Sequence, residues 1–279
     1  MSFAGGGREI APFYVMEMVK AVEAAQADGR KILRLEVGQP STGAPRAVVA
    51  AAQAALAGGD ALGYTAATGI RPLRERLAAH YLDSYALAVD ADRFVATVGS
   101  SVGFVLAFLA AFGPGARVAV TEPGYPCYRN TLTALGMVPV AIPLGPESGY
   151  RLTVTMLEQA GPLDGVIVAS PANPTGTVMG RAALAEVAHW CHARRIRLIS
   201  DEIYHGLTYG ATVTTAAAVS SSALVVNSFS KYFSMTGWRL GWLVLPEDLV
   251  AAVERLAQNL VICPTTLAQH APPVPFEGL

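Results

Sequence analysis

The sequence predicts an α/β fold, an α/β/α sandwich in which helices cover both faces of a mostly parallel seven-stranded sheet. From about residue 93, short apolar runs alternate with helical segments near 102–112, 125–135 and 181–194, which is typical of a parallel sheet buried on both faces. Polar residues cluster where the runs end, and such sheets bind ligands beyond the carboxyl ends of their strands. The runs are 94–98, 117–121, 138–142, 166–169, 196–200, 224–227 and 240–245.

The segments that precede this alternation predict helices and one strand. Helical spacing over 12–28 ends at Asp28-Gly29, and a short strand over 32–37 leads into a loop at 38–43. Two Ala- and Leu-rich helices follow at about 46–58 and 70–83, separated by Gly63-Tyr64-Thr65. A last helix is expected over 249–258.

Composition excludes several classes of protein. Charged residues make up 15% of the 279 residues, against about 25% in ordinary soluble domains, and 52% are hydrophobic, so the chain is not intrinsically disordered. The net charge of −1 gives no electrostatic basis for binding nucleic acid or a membrane surface. No uninterrupted apolar run reaches the ~18 residues of a membrane span. We expect a soluble globular protein.

The cysteines and the N-terminal residues bear on the compartment. Cys127, Cys191 and Cys263 are odd in number and widely spaced, with no CxxC pair, so neither a disulfide framework nor a metal site is expected. The first residues lack a basic region followed by an apolar core, so no signal peptide is visible. The expected location is the cytoplasm.

The first candidate site follows the run 94–98. Gly99-Ser100-Ser101 stands between that run and an apolar helix, where free backbone N–H groups and the helix dipole attract anions. An ordinary helix cap is the alternative, because serine is a favoured capping residue.

Two further polar positions follow later strands. Asn173 lies between Pro171 and Pro174, which hold its amide rigidly at a strand end, although these residues also form ordinary turns. Asp201 comes directly after an apolar run, where a carboxylate is costly unless it meets a cation or donors. Surface exposure or capping of the next turn is the alternative for Asp201.

The segment 228–242 contains the most informative residue. Lys231 is one of only three lysines, with Lys20 and Lys31, and it lies among small hydroxyls and aromatic side chains. Desolvation lowers the pKa of a lysine and makes its amine a nucleophile. Ser228, Ser230 and Arg239 could together hold a phosphate, and the alternative is a solvated loop lysine.

Seven motifs in order identify a family resemblance. The chain resembles the class I/II pyridoxal-phosphate-dependent aminotransferases, whose fold is the aspartate-aminotransferase-like fold type I. The resemblance runs from about Tyr14 to about Gln258. The motifs are VGQP at 37–40, GYTAATGIRPLR at 63–74, GSSVGF at 99–104, EPGYPCY at 122–128, SPANPTG at 170–176, SDEIY at 200–204 and SFSKYFSMTGWRLGW at 228–242.

The resemblance implies roles at the cofactor for five residues, of which Lys231, Asp201 and Tyr204 would be catalytic. Lys231 would hold pyridoxal 5′-phosphate as an internal aldimine and then carry the proton between Cα and C4′. Asp201 would pair with the pyridine nitrogen and keep it protonated. Asn173 and Tyr204 would hydrogen-bond the phenolic oxygen of the ring, and Tyr125 would stack on the ring face.

The same resemblance assigns the phosphate and substrate contacts. In the family, the residue at Tyr64 reaches the phosphate of the neighbouring subunit, which implies a homodimer with shared sites. Gly38 and Asn173 would lie at the substrate, an amino acid or a 2-oxo acid whose side chain the sequence does not identify. The implied phosphate ligands are Ser100, Ser101, Ser228, Ser230 and Arg239.

The resemblance also divides the chain into three parts. Residues 1–45 would belong to a small domain and residues 46–258 to a large cofactor-binding domain, and 259–279 would be a truncated or aberrant tail. In the family a second arginine, beyond the large domain, grips the substrate carboxylate, whereas the last arginine here is Arg255. We therefore expect most of the C-terminal small domain to be missing and transamination to be weak or absent.

Three functions stay open at this point. The first is a working aminotransferase of amino-acid metabolism that uses a ping-pong mechanism. The second is a truncated, non-catalytic cofactor-binding protein. The third is a lyase, decarboxylase or racemase on the same scaffold, because the cofactor activates several bonds at Cα and the protein selects among them.

Overall fold

Seven strands form a single sheet in the computed structural model, which describes residues 10–59 and 61–271. The strands are β1 (Phe94–Thr97), β2 (Arg117–Glu122), β3 (Val138–Pro143), β4 (Gly165–Ala169), β5 (Arg197–Asp201), β6 (Leu224–Ser228) and β7 (Gly241–Val244). Their order across the sheet is β1-β7-β6-β5-β4-β2-β3. Only β7 runs antiparallel to its neighbours, β1 and β6. The mostly parallel seven-stranded sheet that the sequence predicts is confirmed.

Helices cover both faces of this sheet, as predicted. One face packs against α2, α3 and α7, and the other packs against α4, α5 and α8. No helix within residues 10–59 and 61–271 is long and apolar enough to cross a bilayer. The helices are α1 (Tyr14–Ala27), α2 (Arg46–Ala57), α3 (Arg71–Tyr85), α4 (Gly99–Ala111), α5 (Pro126–Ala134), α6 (Val154–Gln159), α7 (Arg181–Ala193), α8 (Glu247–Leu260) and α9 (Thr266–His270).

Apolar residues at helical spacing account for both layers. In α3, Leu73, Leu77 and Tyr81 recur every four residues and are fully buried against the sheet. In α8, Leu249 and Val253 recur in the same way on the opposite face. Both stripes follow the 3.6-residue helical period, so burying one side of each helix covers one side of the sheet.

The predicted strand over 32–37 is wrong. The segment is irregular, and the side chains of Leu33 and Leu35 are 84% and 83% exposed. The apolar alternation is present, but no strand within the described residues pairs with the segment, and an unpaired strand leaves its backbone groups without a ladder.

The helices near the predicted tail differ from the expected boundaries. Helix α8 continues to Leu260, and the short α9 follows within the segment that the sequence assigns to a tail. Residues 272–279, which hold the proline cluster of that tail, lie outside the described residues.

Candidate active site

One edge of the sheet collects the polar residues. The carboxyl ends of β1, β4, β5 and β6 meet there, and the antiparallel β7 begins there because Gly241 pairs with Ser228. This edge therefore brings together segments that are far apart in sequence, as the prediction for a parallel sheet requires. The segments begin at Gly99, Ser170, Asp201, Ser228 and Arg239.

Asp201, the last residue of β5, is a buried carboxylate with two donors. Its Oδ2 accepts a hydrogen bond from the Tyr128 hydroxyl, and its Oδ1 accepts one from the backbone N–H of Ile203 at 3.1 Å. Burial raises the pKa of Asp201 to about 6, while both hydrogen bonds act to lower it. At neutral pH the carboxyl group is mostly ionised, and its two donors fix its orientation. Because Asp201 is buried, the alternative of surface exposure is excluded.

Tyr128 is a site residue that sequence reasoning missed. It lies on α5, three residues after Tyr125, and its side chain is buried between Phe104 and Tyr125. The motif EPGYPCY contains it, but no spacing in the sequence indicates that its hydroxyl faces β5. The Tyr128 hydroxyl donates the side-chain hydrogen bond that holds Oδ2 of Asp201.

We expect Tyr128→Phe to make Asp201 less acidic. Losing a hydrogen bond to a charged group costs about 1.5–3 kcal/mol, which corresponds to a rise of about one to two pKa units. A carboxylate binds a protonated pyridine ring through its negative charge, which is present only above the pKa of the carboxyl group. The interaction is therefore lost as the pH falls through that pKa. The pH midpoint of cofactor affinity should therefore move upward by about one to two units, measured by absorbance titration, and Tyr209→Phe, at an exposed tyrosine, should leave it in place.

A second buried carboxylate, Glu202, follows Asp201. Burial raises its pKa to about 7, and its Oε1 accepts hydrogen bonds from Ser200 Oγ at 3.0 Å and from the Ala216 N–H at 2.7 Å. Its Oε2 has no hydrogen-bond partner among the described residues and lies 3.6 Å from His205 Nδ1. The negative charge of Glu202 adds to the burial that raises the pKa of Asp201.

Lys231 lies in the loop between β6 and β7 and is partly shielded from solvent. Its Nζ donates a hydrogen bond to the Gly38 carbonyl at 3.0 Å, and a Thr42–Ser234 hydroxyl contact of 2.8 Å joins the same two loops. Burial lowers the pKa of Lys231, and the positive charge of Arg239 lowers it further. A freely solvated lysine would show neither shift, so Lys231 loses its proton more readily than a lysine on the surface.

Arg239 and the start of α4 form a candidate phosphate cradle. Arg239 has a positive φ of 54°, and its Nη1 donates to the Thr236 carbonyl at 2.9 Å. Its guanidinium lies against Gly99, where an added Cβ would come within 2.2 Å of Nη2. A cation thus lies at the N-terminus of a 13-residue helix, and both attract an anion.

Four serines lie at the start of α4 or at the end of β6, and they differ in burial. Ser228 and Ser230 are buried, and Ser228 Oγ donates to Ser230 Oγ at 2.9 Å and contacts the Leu240 carbonyl at 3.2 Å. Ser100 is half-buried at the start of α4, and Ser101 is exposed. The set of one guanidinium, one helix terminus and several hydroxyls suits a phosphate group.

We expect Gly99→Ala to weaken phosphate binding. The new Cβ would displace the Arg239 guanidinium, and the residue has a φ of +67°, which strains any residue with a side chain. Losing one charged hydrogen-bonded contact of about 1.5–3 kcal/mol predicts a rise of about 10- to 100-fold in the dissociation constant of pyridoxal phosphate. Equilibrium titration measures it, and Gly113→Ala, at an open position, is the matched control.

Of the other predicted site residues, three lie near Asp201 and one lies apart. Asn173 Nδ2 donates to the Tyr204 hydroxyl at 3.5 Å, a long bond, and burial followed by the charge of Asp201 raises the pKa of Tyr204. Tyr125 caps α5 and meets Tyr128 edge to face at 5.3 Å. Tyr64 stands apart: within the described part of the chain no hydrogen bond or ring contact joins its side chain to these residues, and it is 84% exposed.

The known proteins that this chain matches in sequence are aminotransferases, in agreement with the resemblance. Residues 30–272 match the family model of aminotransferase class I and II. Valine–pyruvate aminotransferase of Mycobacterium tuberculosis is 52% identical over 94% of this chain and 68% of its own length. The (5-formylfuran-3-yl)methyl phosphate transaminase of Methanocaldococcus jannaschii is 32% identical over 95% of this chain and 70% of its own length.

Solved structures agree with the sequence matches. A crystal structure of an aminotransferase from Mycobacterium tuberculosis superposes with a TM-score of 0.94 at 50% identity, covering 98% of this chain and 71% of that chain. Aspartate aminotransferase from Thermus thermophilus with maleate gives a TM-score of 0.93 at 28% identity, covering 98% and 72%.

Proposed function

Because this chain belongs to the class I and II aminotransferase family, we propose that it moves an amino group from an L-amino acid to a 2-oxo acid in two half-reactions, by a ping-pong mechanism that depends on pyridoxal phosphate. The observation that carries the proposal is Lys231, an amine with a lowered pKa beside Arg239, at the sheet edge that also holds the buried Asp201.

Bound pyridoxal phosphate supplies an electron-accepting ring that stabilises the negative charge on Cα after its proton leaves. Lys231 Nζ is the group proposed to attach the cofactor covalently and, once released, to carry the proton from Cα. A lowered pKa suits both tasks, because a neutral amine is a nucleophile and a base.

The other residues are proposed to bind and orient the ring. Asp201, ionised and fixed by two donors, would hold the proton on the pyridine nitrogen. Asn173 and Tyr204, which contact each other, would donate to the phenolic oxygen, and Tyr125 would cover the ring face. The proposed phosphate ligands are Ser100, Ser101, Ser228, Ser230 and Arg239.

The substrate side is proposed around the loop at Gly38. Its carbonyl already contacts Lys231, so a substrate whose Cα lies near Nζ would also lie near this loop and near Asn173. The proposed large domain is 46–258, which contains the whole sheet, and 1–45 would belong to the small domain. Tyr64 is proposed to act at the site of a second subunit in a homodimer.

The relative at 52% identity supports a first choice of substrates. That protein is named for valine and pyruvate, so we propose a small aliphatic amino acid as donor and pyruvate as acceptor. The proposed donor and acceptor share the same two recognition features, because each molecule carries one α-carboxylate and a small apolar side chain.

A single-turnover experiment tests the proposed reaction. L-valine added to the cofactor-loaded chain should change the absorbance of the cofactor and release the matching 2-oxo acid, and pyruvate should restore the original spectrum with formation of alanine. D-valine is the matched control and should cause no change. Release of carbon dioxide in place of the 2-oxo acid would contradict transamination. A loaded chain that responds to no amino acid in a broad panel would contradict the proposed function and agree instead with the expectation, from the sequence, of weak or absent transamination.

A further inference from the structure

The short helix α9 holds the residues on both sides of Tyr64. Thr266 Oγ1 donates to the Gly63 carbonyl at 2.6 Å, and Gln269 Nε2 donates to Thr65 Oγ1 at 3.1 Å. Two side chains of one helix thus fix the backbone before Tyr64 and the side chain after it, across about 200 residues of sequence.

Gln269 is fully buried, and both atoms of its amide are used. Its Oε1 accepts from the Ile70 N–H at 2.9 Å, and its Nε2 also donates to the Pro264 carbonyl at 2.9 Å. A buried amide with complete hydrogen bonding specifies one geometry, because losing any partner leaves a desolvated polar group. Gln269 therefore fixes the start of α3 as well as the Tyr64 loop.

The other side of this loop rests on β1. The Ala96 N–H donates to the Thr68 carbonyl at 2.9 Å, and a Cβ on Gly69, whose φ is +93°, would come within 2.6 Å of Ala96 Cβ. The loop is packed between the edge strand β1 and α9, so its backbone is rigidly placed. Tyr64 is nevertheless 84% exposed.

A rigid loop that presents an exposed tyrosine suits contact with a group outside its own chain. We propose that Thr266 and Gln269 are positioning residues that hold Tyr64 where it reaches the cofactor phosphate of a second copy of this chain. The inference rests on the proposed function, because that function supplies the cofactor and the second copy. It assigns to α9 a role at the partner's site and none at the site of its own subunit.

Mixed dimers with two different affinity tags test this directly. One subunit carries Lys231→Ala, so borohydride traps the cofactor only on the other subunit. Thr266→Val, a substitution of similar shape that removes one hydrogen bond, is placed either on the Lys231→Ala subunit (trans) or on the trapping subunit (cis). Thr265→Val, at the exposed neighbouring position without a side-chain cap contact, is the control in both arrangements.

The proposal predicts an effect in one arrangement only. In trans, the pyridoxal phosphate concentration that half-saturates trapping should rise about 3- to 10-fold, the loss expected for one hydrogen bond. In cis it should change less than about twofold, within the range of a near-neutral substitution. An equal rise in both arrangements, or an equal rise with Thr265→Val, would overturn the proposal in favour of general destabilisation.

The result for the unmodified chain separates this inference from the proposed function. If no adduct is trapped, the proposed function fails and the inference fails with it. If an adduct is trapped on a chain that sediments as a monomer, the proposed chemistry stands, and the inference is overturned together with the proposed homodimer.

Hydrogen exchange on the cofactor-free chain gives a readout independent of loading. Gln269→Leu removes the acceptor of the Ile70 amide, so that amide should exchange at least about tenfold faster. Gln53→Leu, at an exposed position on α2, should not change it. Unchanged protection of Ile70 in Gln269→Leu would contradict the role of Gln269.

Discussion

Lys231→Ala is expected to end covalent attachment of the cofactor and to slow the first half-reaction with L-valine by at least about 10³-fold. The methyl group can neither form the bond to the cofactor nor accept the proton from Cα. Asp201 and the cradle at Arg239 do not depend on the lysine side chain, so the variant should still bind pyridoxal phosphate non-covalently. Stopped-flow absorbance measures the rate, and equilibrium dialysis measures the binding.

Lys31→Ala is the matched control for this variant. Lys31 is exposed and lies outside the site, so its removal should leave both the adduct and the half-reaction unchanged. A Lys231→Ala chain that keeps the borohydride-reducible adduct, or that reacts with L-valine at the wild-type rate, would contradict the assigned role.

Asp201→Asn is expected to slow the same half-reaction by about 10²- to 10³-fold, the effect of removing a pre-organised electrostatic contact. Asparagine cannot hold a proton on the pyridine nitrogen by charge, so the ring accepts electrons less well. The geometry should survive, because the amide can accept from the Ile203 N–H and donate to the Tyr128 hydroxyl. The measurement is the single-turnover rate at saturating cofactor.

The same substitution should stabilise the cofactor-free chain at neutral pH. Burial raises the pKa of Asp201 from 3.8 to about 6, so the folded chain binds more protons than the unfolded chain between these values. Stability therefore falls as the pH rises from about 4 to 6. Because asparagine has no such penalty, its advantage should grow over this range to about 2–3 kcal/mol. Urea unfolding at pH 4 and pH 7 measures it.

Asp28→Asn serves as the control for the stability comparison, since Asp28 is exposed at the end of α1. Its unfolding free energy should follow that of the wild type at both pH values. An Asp201→Asn chain less stable than the wild type at pH 7 would show that the buried charge is compensated within the fold.

Much of the fold could be predicted because its elements are strongly patterned. The apolar runs of β4, β5 and β6 are buried on both faces, and the four-residue spacing in α3 and α8 leaves little ambiguity. The segment 32–37 is the exception. Its alternation is that of a strand, but strand formation depends on a pairing partner elsewhere, which a local pattern does not contain.

The site was partly predictable for a similar reason. Lys231, Asp201 and Asn173 each follow an apolar strand, and the topology of a parallel sheet brings strand ends together. Tyr128 and Gln269 act through side chains that reach a distant segment, at β5 and at the Tyr64 loop. Both lie at ordinary helical positions, and the direction in which a helix presents them depends on its rotation after packing.

Locating the attached lysine tests the central claim most directly. The chain has only Lys20, Lys31 and Lys231, so borohydride reduction of the loaded protein followed by proteolysis and mass spectrometry distinguishes them without ambiguity. We predict that a single peptide, the one containing Lys231, carries the reduced pyridoxyl phosphate group at equimolar cofactor. Modification of Lys20 or Lys31 with Lys231 unmodified would contradict the proposed active site.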